Sequence, residues 1–570
     1  MVAAKKKVFR EFIKILLKEK PKDKDKINSI KLRLARKYGL EKFPTDIEIL
    51  SYANKKEFDV LSQILLTKPT RTLSGVSVCA IMTKPSPCPH GRCVFCPGGV
   101  NSAFGDVPQS YTGREPASMR AKRNDYDSYL QVMNRLEQYV VMGHNFNKIE
   151  LIIMGGTFPS LNFNYQRNFV AYAFKAMNDF SRLFIKGNSF KLNRFREFFL
   201  LPGSVNDEER VKTIKRRLSK LKGFANLELE QEYNDKKSKV KCVGLTIETR
   251  PDYARLEHAK RMLSLGATRV ELGVQTIYND VLEKVERGHT VEDSIAATRI
   301  LKDLGFKINY HIMIGLPNSN YKRDYNIFKE LFENEDFRPD MLKIYPCLVV
   351  KGTKLYQWWK NGKFKEANNE YALKLLKEVY PIIPEYVRVM RIQRDIPSHT
   401  IESGVNLTNL RQVLYEELKN KPIKEIRFRE IGLNLKQQNL DLKGINRKIF
   451  VKEYNASKGK EFFISEEDEQ RRFIFGFCRL RFPSQSLIKE IDDKTALIRE
   501  LHVYGPSEKI GLRGNIQHSG TGSRLLKKAE QIAKARGMRK ILVISGIGVR
   551  AYYRKHGYKK QSYYMAKHIS

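Results

Sequence analysis

The run Val76-Ser-Val-Cys-Ala-Ile-Met82, followed by Cys88-Pro-His-Gly-Arg-Cys93-Val-Phe-Cys96-Pro-Gly-Gly99, decides how the chain is read. The first part is apolar and β-branched, and short enough for a buried strand. The second holds three of the seven cysteines, spaced Cys-x4-Cys-x2-Cys among glycine and proline. Thiolates this close can converge on one soft metal centre. A zinc site would need a fourth protein ligand, with His90 the candidate. His90 stands too near Cys88 for the usual finger spacing, and no second Cys-x2-Cys or histidine pair follows. A 4Fe–4S cluster, which can leave one iron open to a ligand, is the preferred reading. Pro97-Gly98-Gly99 lets the backbone pass close to such a group.

Outward from this loop the chain alternates between strand and helix patterns. Apolar runs recur at 149–154, 242–247, 268–274, 307–314, 341–350 and 386–392, with helical periodicity at 127–142, 165–179, 253–265, 291–304 and 321–333. That alternation predicts an α/β fold built on a parallel sheet or open barrel, with chemistry at the C-terminal strand ends. The cysteine loop follows the first strand, the expected place. Residues 181–240 interrupt the pattern with basic, strand-poor sequence and read as a helical insertion. Residues 397–460 read as a connector carrying Lys424, Arg427 and Arg429. A different unit is expected over 461–570, with strands at 473–481 and 495–503, a helix at 521–536 and a strand at 540–545.

The net charge is +42, from 105 Lys and Arg against 63 Asp and Glu, while 41% of residues are hydrophobic. A folded chain this basic calls for a polyanionic partner, most simply nucleic acid. Thermophile surfaces enrich Glu along with Lys, and here the balance is one-sided. Lacking a long apolar run and a signal-peptide core, and with clustered rather than paired cysteines, the chain is expected to be cytoplasmic. Residues 1–70 read as a basic helical region. Val8, Phe9, Phe12, Ile13, Leu16 and Leu17 mark one helix face, opposite Lys5, Lys6, Lys7, Arg10, Lys14 and Lys18. A second helix is expected at about 25–39, and Thr45-Asp-Ile-Glu48 is a capping box for a third. The three would form a small RNA-binding module.

A second motif, Gln517-His-Ser-Gly520-Thr-Gly522, precedes the helix at 521–536. Glycines before a helix N-terminus make a phosphate cradle from backbone N–H groups and the helix dipole. Tyr552-Tyr553 and Gly557-Tyr558 follow it.

The cysteine loop after a first strand resembles the radical S-adenosylmethionine (SAM) superfamily, with x4 where that family usually has x3. Met154-Gly155-Gly156-Thr157-Phe158, Glu271-Leu-Gly273-Val-Gln275 and His311-x-Met313-Ile-Gly315-Leu-Pro317 resemble its later strand ends. The 461–570 unit resembles the Gcn5-related N-acetyltransferases. Tyr111-Thr-Gly113-Arg-Glu-Pro116, Ile247-Glu-Thr-Arg250-Pro-Asp252, Arg287-Gly-His-Thr290, Lys343-Ile-Tyr-Pro346 and Arg394-Asp-Ile-Pro397 add to these. Together they resemble the family of the catalytic, third subunit of Elongator, from about residue 70 to 570, in an archaeal form that acts without other subunits.

That resemblance implies a partial (β/α)6 radical SAM barrel over 71–396 followed by an acetyltransferase domain. Cys88, Cys93 and Cys96 would hold a 4Fe–4S cluster, with Gly155, Gly156 and Gln275 near SAM. Glu500, Leu501, His502 and Val503 would border the acetyl-pantetheine arm of acetyl-CoA, and Gln517, Gly520, Thr521, Gly522 and Ser523 its pyrophosphate. Tyr553 would stand by the thioester, and Lys148 would reach acetyl-CoA from the radical domain. The reaction implied is radical abstraction from the acetyl methyl, addition to carbon 5 of the wobble uridine of tRNA, and thioester hydrolysis to a carboxymethyl group. A protein lysine acetyltransferase with a structural cluster, and a non-catalytic RNA-binding scaffold, are the alternatives.

Overall fold

The computed structural model describes residues 2–21, 23–40, 43–66, 75–204, 206–432, 434, 445–505 and 520–569. The apolar runs form one seven-stranded sheet: β1 (Ser77–Met82), β2 (Lys148–Met154), β3 (Lys241–Thr249), β4 (Arg269–Gln275), β5 (Lys307–Ile314), β6 (Met341–Pro346) and β7 (Arg388–Arg391). They lie side by side in chain order, and every pairing is parallel. Parallel neighbours need a crossover, which the intervening helices supply on one face. The sheet is a half-barrel with β1 and β7 as its open edges.

Alternation along each strand separates two environments. Leu151 and Ile153 of β2 and Ile312 and Ile314 of β5 join the outer core beneath the helices. Their neighbours Glu150, Ile152, Met154, His311 and Met313 face inward onto a cavity. The inner face therefore mixes charged and apolar side chains, and the outer face is apolar.

Four helices precede the sheet: Val2–Glu19, Lys24–Lys37, Asp46–Ser51 and Lys55–Ile64. Phe9, Phe12, Ile13, Leu16, Ile30, Leu34, Leu50 and Leu61 make their own small core. Four helices rather than three form because Asn54 starts a second capping box with Glu57, whose carboxylate also pairs with Arg10 at 2.6 Å. Lys14, Lys18, Arg33 and Arg36 face solvent.

Within 181–240 a short hairpin, Ile185–Lys186 with Ser189–Phe190, precedes helices Leu192–Phe198, Glu208–Lys222 and Leu227–Lys236. Phe180, Phe184 and Phe195 pack edge to face beneath them, and Phe199 is tilted against Phe195.

The second sheet contains β8 (Arg447–Ala456), β9 (Gly459–Asp468), β10 (Ile474–Phe482), β11 (Thr495–Val503), β12 (Lys540–Val543), β13 (Lys559–Gln561) and β14 (Tyr564–His568), in the order β8-β9-β10-β11-β12-β14-β13. The reading of 397–460 as connector is corrected here. Arg447–Ala456 is a strand that zips antiparallel onto β9 across the two-residue turn Ser457-Lys458, both at positive φ. Its charged, edge-strand composition hides it from a search for apolar alternation.

The two sheets are joined by buried ions. Phe475, Phe477, Arg479 and Arg481 of β10 share one face, turned toward the half-barrel, while Cys478 and Leu480 face their own helices. Arg481 pairs with Asp303 at 2.6 Å and Glu461 at 3.0 Å; Arg499 pairs with Asp340 at 2.6 Å and Glu461 at 3.0 Å. All five residues are fully buried. Such charges persist in a protein interior only when paired and hydrogen-bonded.

Candidate active site

The cavity inside the half-barrel measures about 1430 Å³. Cys88 and Cys93 line it at the C-terminal strand ends, and Glu500 and His502 of the second sheet line it at the other end.

The cysteine end is shaped by glycines and donors. Gly155 and Gly156 have φ of 117° and 103°, and a Cβ on Gly156 would stand 3.0 Å from Gln109 Cβ and 3.8 Å from Cys88 Sγ. A side chain at Gly288 would meet His90 Cβ at 2.6 Å, so that glycine lets the cysteine loop seat. Gln109 Nε2 donates to Cys96 Sγ at 3.4 Å, and Arg287 Nη1 donates to Cys93 Sγ at 3.6 Å while its Nη2 holds the Gly273 carbonyl at 2.9 Å. His90 Nε2 lies 3.2 Å from Cys93 Sγ. Gln275 is buried at φ 71°, a conformation disfavoured for a non-glycine residue and frequent at functional sites.

The three thiols are unbridged and close enough for their charges to oppose one another. Burial pushes the Cys88 and Cys93 thiols up; the Thr157 hydroxyl pulls against this at Cys88, as the Arg287 guanidinium does at Cys93. Among the described residues, Thr249 Oγ1 and Arg250 Nη1 are buried without a partner, on residues that line the same cavity. This donor set fits a group held by three sulfurs with polar ligands beside it.

A charged layer crosses the middle. Glu271 accepts from His311 Nε2 at 2.8 Å and pairs with Lys343, whose Nζ also reaches Glu248 at 3.1 Å. Tyr111 donates to Glu248 at 3.3 Å. Burial alone would raise the Glu271 carboxyl, but Lys343, His311 and Arg269 hold it well below the usual carboxylate range. Lys343 stays protonated, and burial together with Lys343 lowers His311.

The far end depends on a β-bulge. β10 pairs with β11 as Leu480 with Ile498 and Arg479 with Glu500, so Arg499 is the extra residue. Before it, Leu497 faces the half-barrel; after it, Glu500 and His502 do, while Leu501 turns to the acetyltransferase core. A bulge re-aims side chains in this way. β12 pairs only with Thr495–Ile498, so among the described residues the Glu500–Val503 backbone has no strand partner on that side. Burial and Arg388 lower His502 to about 4, leaving it neutral near pH 7.

Gly520, at φ 86°, precedes the helix Thr521–Ala535. A Cβ on Gly522 would lie 2.7 Å from Tyr552 Oη and 3.6 Å from Val503 Cγ2, so the glycine turn, the end of β11 and a tyrosine converge. Thr521 Oγ1 donates to Glu466 at 2.9 Å, and Ser523 Oγ lies 3.3 Å from His556 Nε2. Gln517 lies outside the described residues. Tyr553 packs in the acetyltransferase core against Tyr552 and Tyr558, and Tyr552 is the tyrosine that touches the turn. Lys148 opens β2 opposite Lys241, where Gly548 of the second unit packs, and burial lowers its pKa. Sequence reasoning assigned no role to Gln109, Arg287, Glu248, Glu271 or Lys343; several sit in motifs it quoted, but only the fold turns them toward one space.

Fold and site define a radical SAM domain coupled to an acetyltransferase domain. The chain matches the Radical SAM superfamily over 84–331, the Radical_SAM C-terminal domain over 339–420, the Acetyltransferase (GNAT) family over 437–558 and the ELP3 N-terminal domain over 5–73. It is 45% identical to the tRNA uridine(34) acetyltransferase of Methanocaldococcus jannaschii, over 99% of this chain and 98% of that protein. With Elongator complex protein 3 of Bos taurus it shares 39% identity over 96% of this chain and 94% of that protein. The solved structure of archaeal Methanocaldococcus infernus Elp3 with an N-terminal deletion superposes with a TM-score of 0.70 at 40% identity, covering 87% of this chain and all of that one. The chain belongs to the Elongator complex protein 3 family. Its domains imply a 4Fe–4S cluster, SAM and acetyl-CoA, and make it a radical SAM-dependent acyltransferase.

Proposed function

We propose that this enzyme modifies carbon 5 of the wobble uridine of tRNA, using acetyl-CoA to leave a carboxymethyl group. The observation that carries this reading is the single cavity with cysteine thiols at one end and the bulged strand Thr495–Val503 at the other. An ordinary acetyltransferase needs only an amine nucleophile and a base. Uridine carbon 5 is a poor nucleophile and a methyl C–H is inert, so radical chemistry and an acetyl donor must share one space. The names of the relatives support a tRNA substrate.

In this reading Cys88, Cys93 and Cys96 hold the cluster, and Gly155, Gly156 and Gln275 make room for SAM. When bound, cluster and SAM supply one-electron chemistry, and acetyl-CoA supplies the two-carbon unit. Gln109 and Arg287 donate to the thiolates and disperse their charge. Lys343 pairs with both Glu248 and Glu271, and burial together with the Lys343 charge lowers His311, which favours the neutral imidazole as a proton acceptor at the cavity wall. The unpaired edge of Glu500–Val503 receives the acetyl-pantetheine arm, the turn Gly520–Ser523 with Gln517 binds the pyrophosphate, and Tyr553 and Lys148 complete the acetyl-CoA contacts. The helices within 1–70 and the central basic surface grip the RNA backbone in a cytoplasmic enzyme.

The test is anaerobic incubation of the holoprotein with SAM, acetyl-CoA and tRNA, then mass analysis of the wobble nucleoside. Carboxymethyluridine is expected only with all three present. Acetyl-lysine formed without SAM or tRNA would sink the reading.

A further inference from the structure

Three arginines from three separate elements meet on the cavity wall beside the acetyltransferase unit: Arg388 from β7, Arg411 from the helix Leu410–Leu418 and Arg427 from the helix Ile426–Arg429. Their counter-charges do not match them. Arg388 Nη2 meets Glu430 at 3.0 Å. Glu425 is already engaged, accepting from Val389 N at 2.7 Å and Phe428 N at 2.8 Å. Arg411 spends its donors on the Val389 carbonyl, at 3.1 and 3.2 Å, and on the Tyr415 hydroxyl at 3.2 Å. The Arg427 guanidinium, half-buried, has no hydrogen bond and no ion pair among the described residues. Burial, then Arg411 and Arg388, depress its pKa.

Two more donors nearby are unfilled among the described residues. Arg388 Nε and the Tyr504 hydroxyl are both buried without a partner there, and the Arg388 guanidinium stands 5.4 Å from the Tyr504 ring centroid. By contrast, the buried Arg481 and Arg499 are matched by Asp303, Asp340 and Glu461. Arg388 and Arg411 each brace backbone or a carboxylate. The Arg427 guanidinium braces no group among the described residues; Arg411 and Arg388 repel it, while Tyr415 and Glu430 attract it. A guanidinium kept at such a place fits an anion that arrives from outside, and forked donors suit phosphate oxygens.

We propose that Arg388, Arg411 and Arg427 form a phosphate-binding subsite that takes a phosphate ester of a ligand entering the half-barrel. The inference rests on the tRNA reading above. The phosphate has two sources: a phosphodiester of the anticodon loop beside the target nucleoside, or a phosphate of coenzyme A. For the second, the turn at Gly520 already offers a helix N-terminus, which favours the RNA.

The experiment uses full-length, cluster-loaded protein as wild type, Arg427→Ala, Arg411→Ala and Arg427→Lys. Binding of tRNA is measured across a salt series, and binding of acetyl-CoA by calorimetry, with iron content and thermal midpoint confirming the fold. For Arg427→Ala, tRNA affinity is expected to fall about tenfold and the log–log salt slope to drop by about 1, with partial recovery in Arg427→Lys. Acetyl-CoA affinity should not move. Loss of acetyl-CoA affinity with tRNA binding intact assigns the subsite to the cofactor's phosphate. Folded Arg427→Ala and Arg411→Ala variants that bind both ligands like wild type overturn the subsite. Wild type that binds no tRNA refutes the functional reading instead, and the acetyl-CoA arm then decides the subsite.

Discussion

The two ends of the cavity are built by different means. At the cysteine end, three thiols come from nine consecutive residues, and the groups around them follow the ends of successive strands. At the acetyltransferase end, Glu500 and His502 arrive through a bulge, held by arginines whose partners lie 159 and 178 residues away. The first end is local chemistry placed by a simple topology. The second is an alignment of two folded units, and its accuracy depends on buried ion pairs. A radical centre tolerates rearrangement at neither end, but the two should fail differently: the first by losing its metal, the second by losing register.

The largest effect should come from Cys93→Ser, which removes a thiolate from the loop. SAM cleavage and the visible absorption of the cluster should be abolished while acetyl-CoA binding persists; retained iron and activity would remove this cysteine from the ligand set. Asp340→Ala leaves Arg499 and Arg479 buried without their shared carboxylate. It should cost about 3–5 kcal/mol in denaturant unfolding. The cluster should remain, so a variant stripped of iron would show that the two ends are not separable. Gln109→Ala deletes the donor to Cys96 and should weaken cluster retention by about 10- to 100-fold, read as iron lost to a chelator over time. The smallest effect concerns His502, whose folded pKa is depressed by burial and by Arg388, with Lys307 and Arg479 opposing its charge and Glu500 favouring it. A depressed pKa means stability present above the unfolded value of about 6.5 and lost as pH falls toward about 4. His502→Gln should flatten the thermal midpoint between those limits; an unchanged profile would mean that other groups control acid unfolding.

Much of the architecture was legible because burial on both faces of a parallel strand leaves apolar runs, and seven such runs became the seven strands. The capping box at Thr45 is local and needs no tertiary context. Legibility failed where charge substitutes for apolar patterning. Arg447–Ala456 is an edge strand with polar residues on both faces, so its alternation is silent. Arg479, Arg481 and Arg499 look like solvent-facing residues in sequence, yet they are among the most buried side chains present. The bulge at Arg499 has no composition signal, although it decides which side chains of Glu500–Val503 meet the cavity. Of the adjacent tyrosines, the family resemblance puts Tyr553 by the thioester, and packing sets Tyr552 against the glycine turn.

By itself, the sequence determined the class of chemistry: a three-thiol loop after a first strand, a glycine turn before a helix, and a surplus of positive charge. Those features are short-range, and their meaning lies in residue type and spacing. Only the tertiary structure decided that the two sites open onto one cavity, that Lys343 bridges two carboxylates between them, and that Arg427 joins Arg388 and Arg411 without an ion pair of its own among the described residues. Electrostatic balance is a sum over neighbours in space, and neighbours more than a hundred residues apart leave no pattern along the chain.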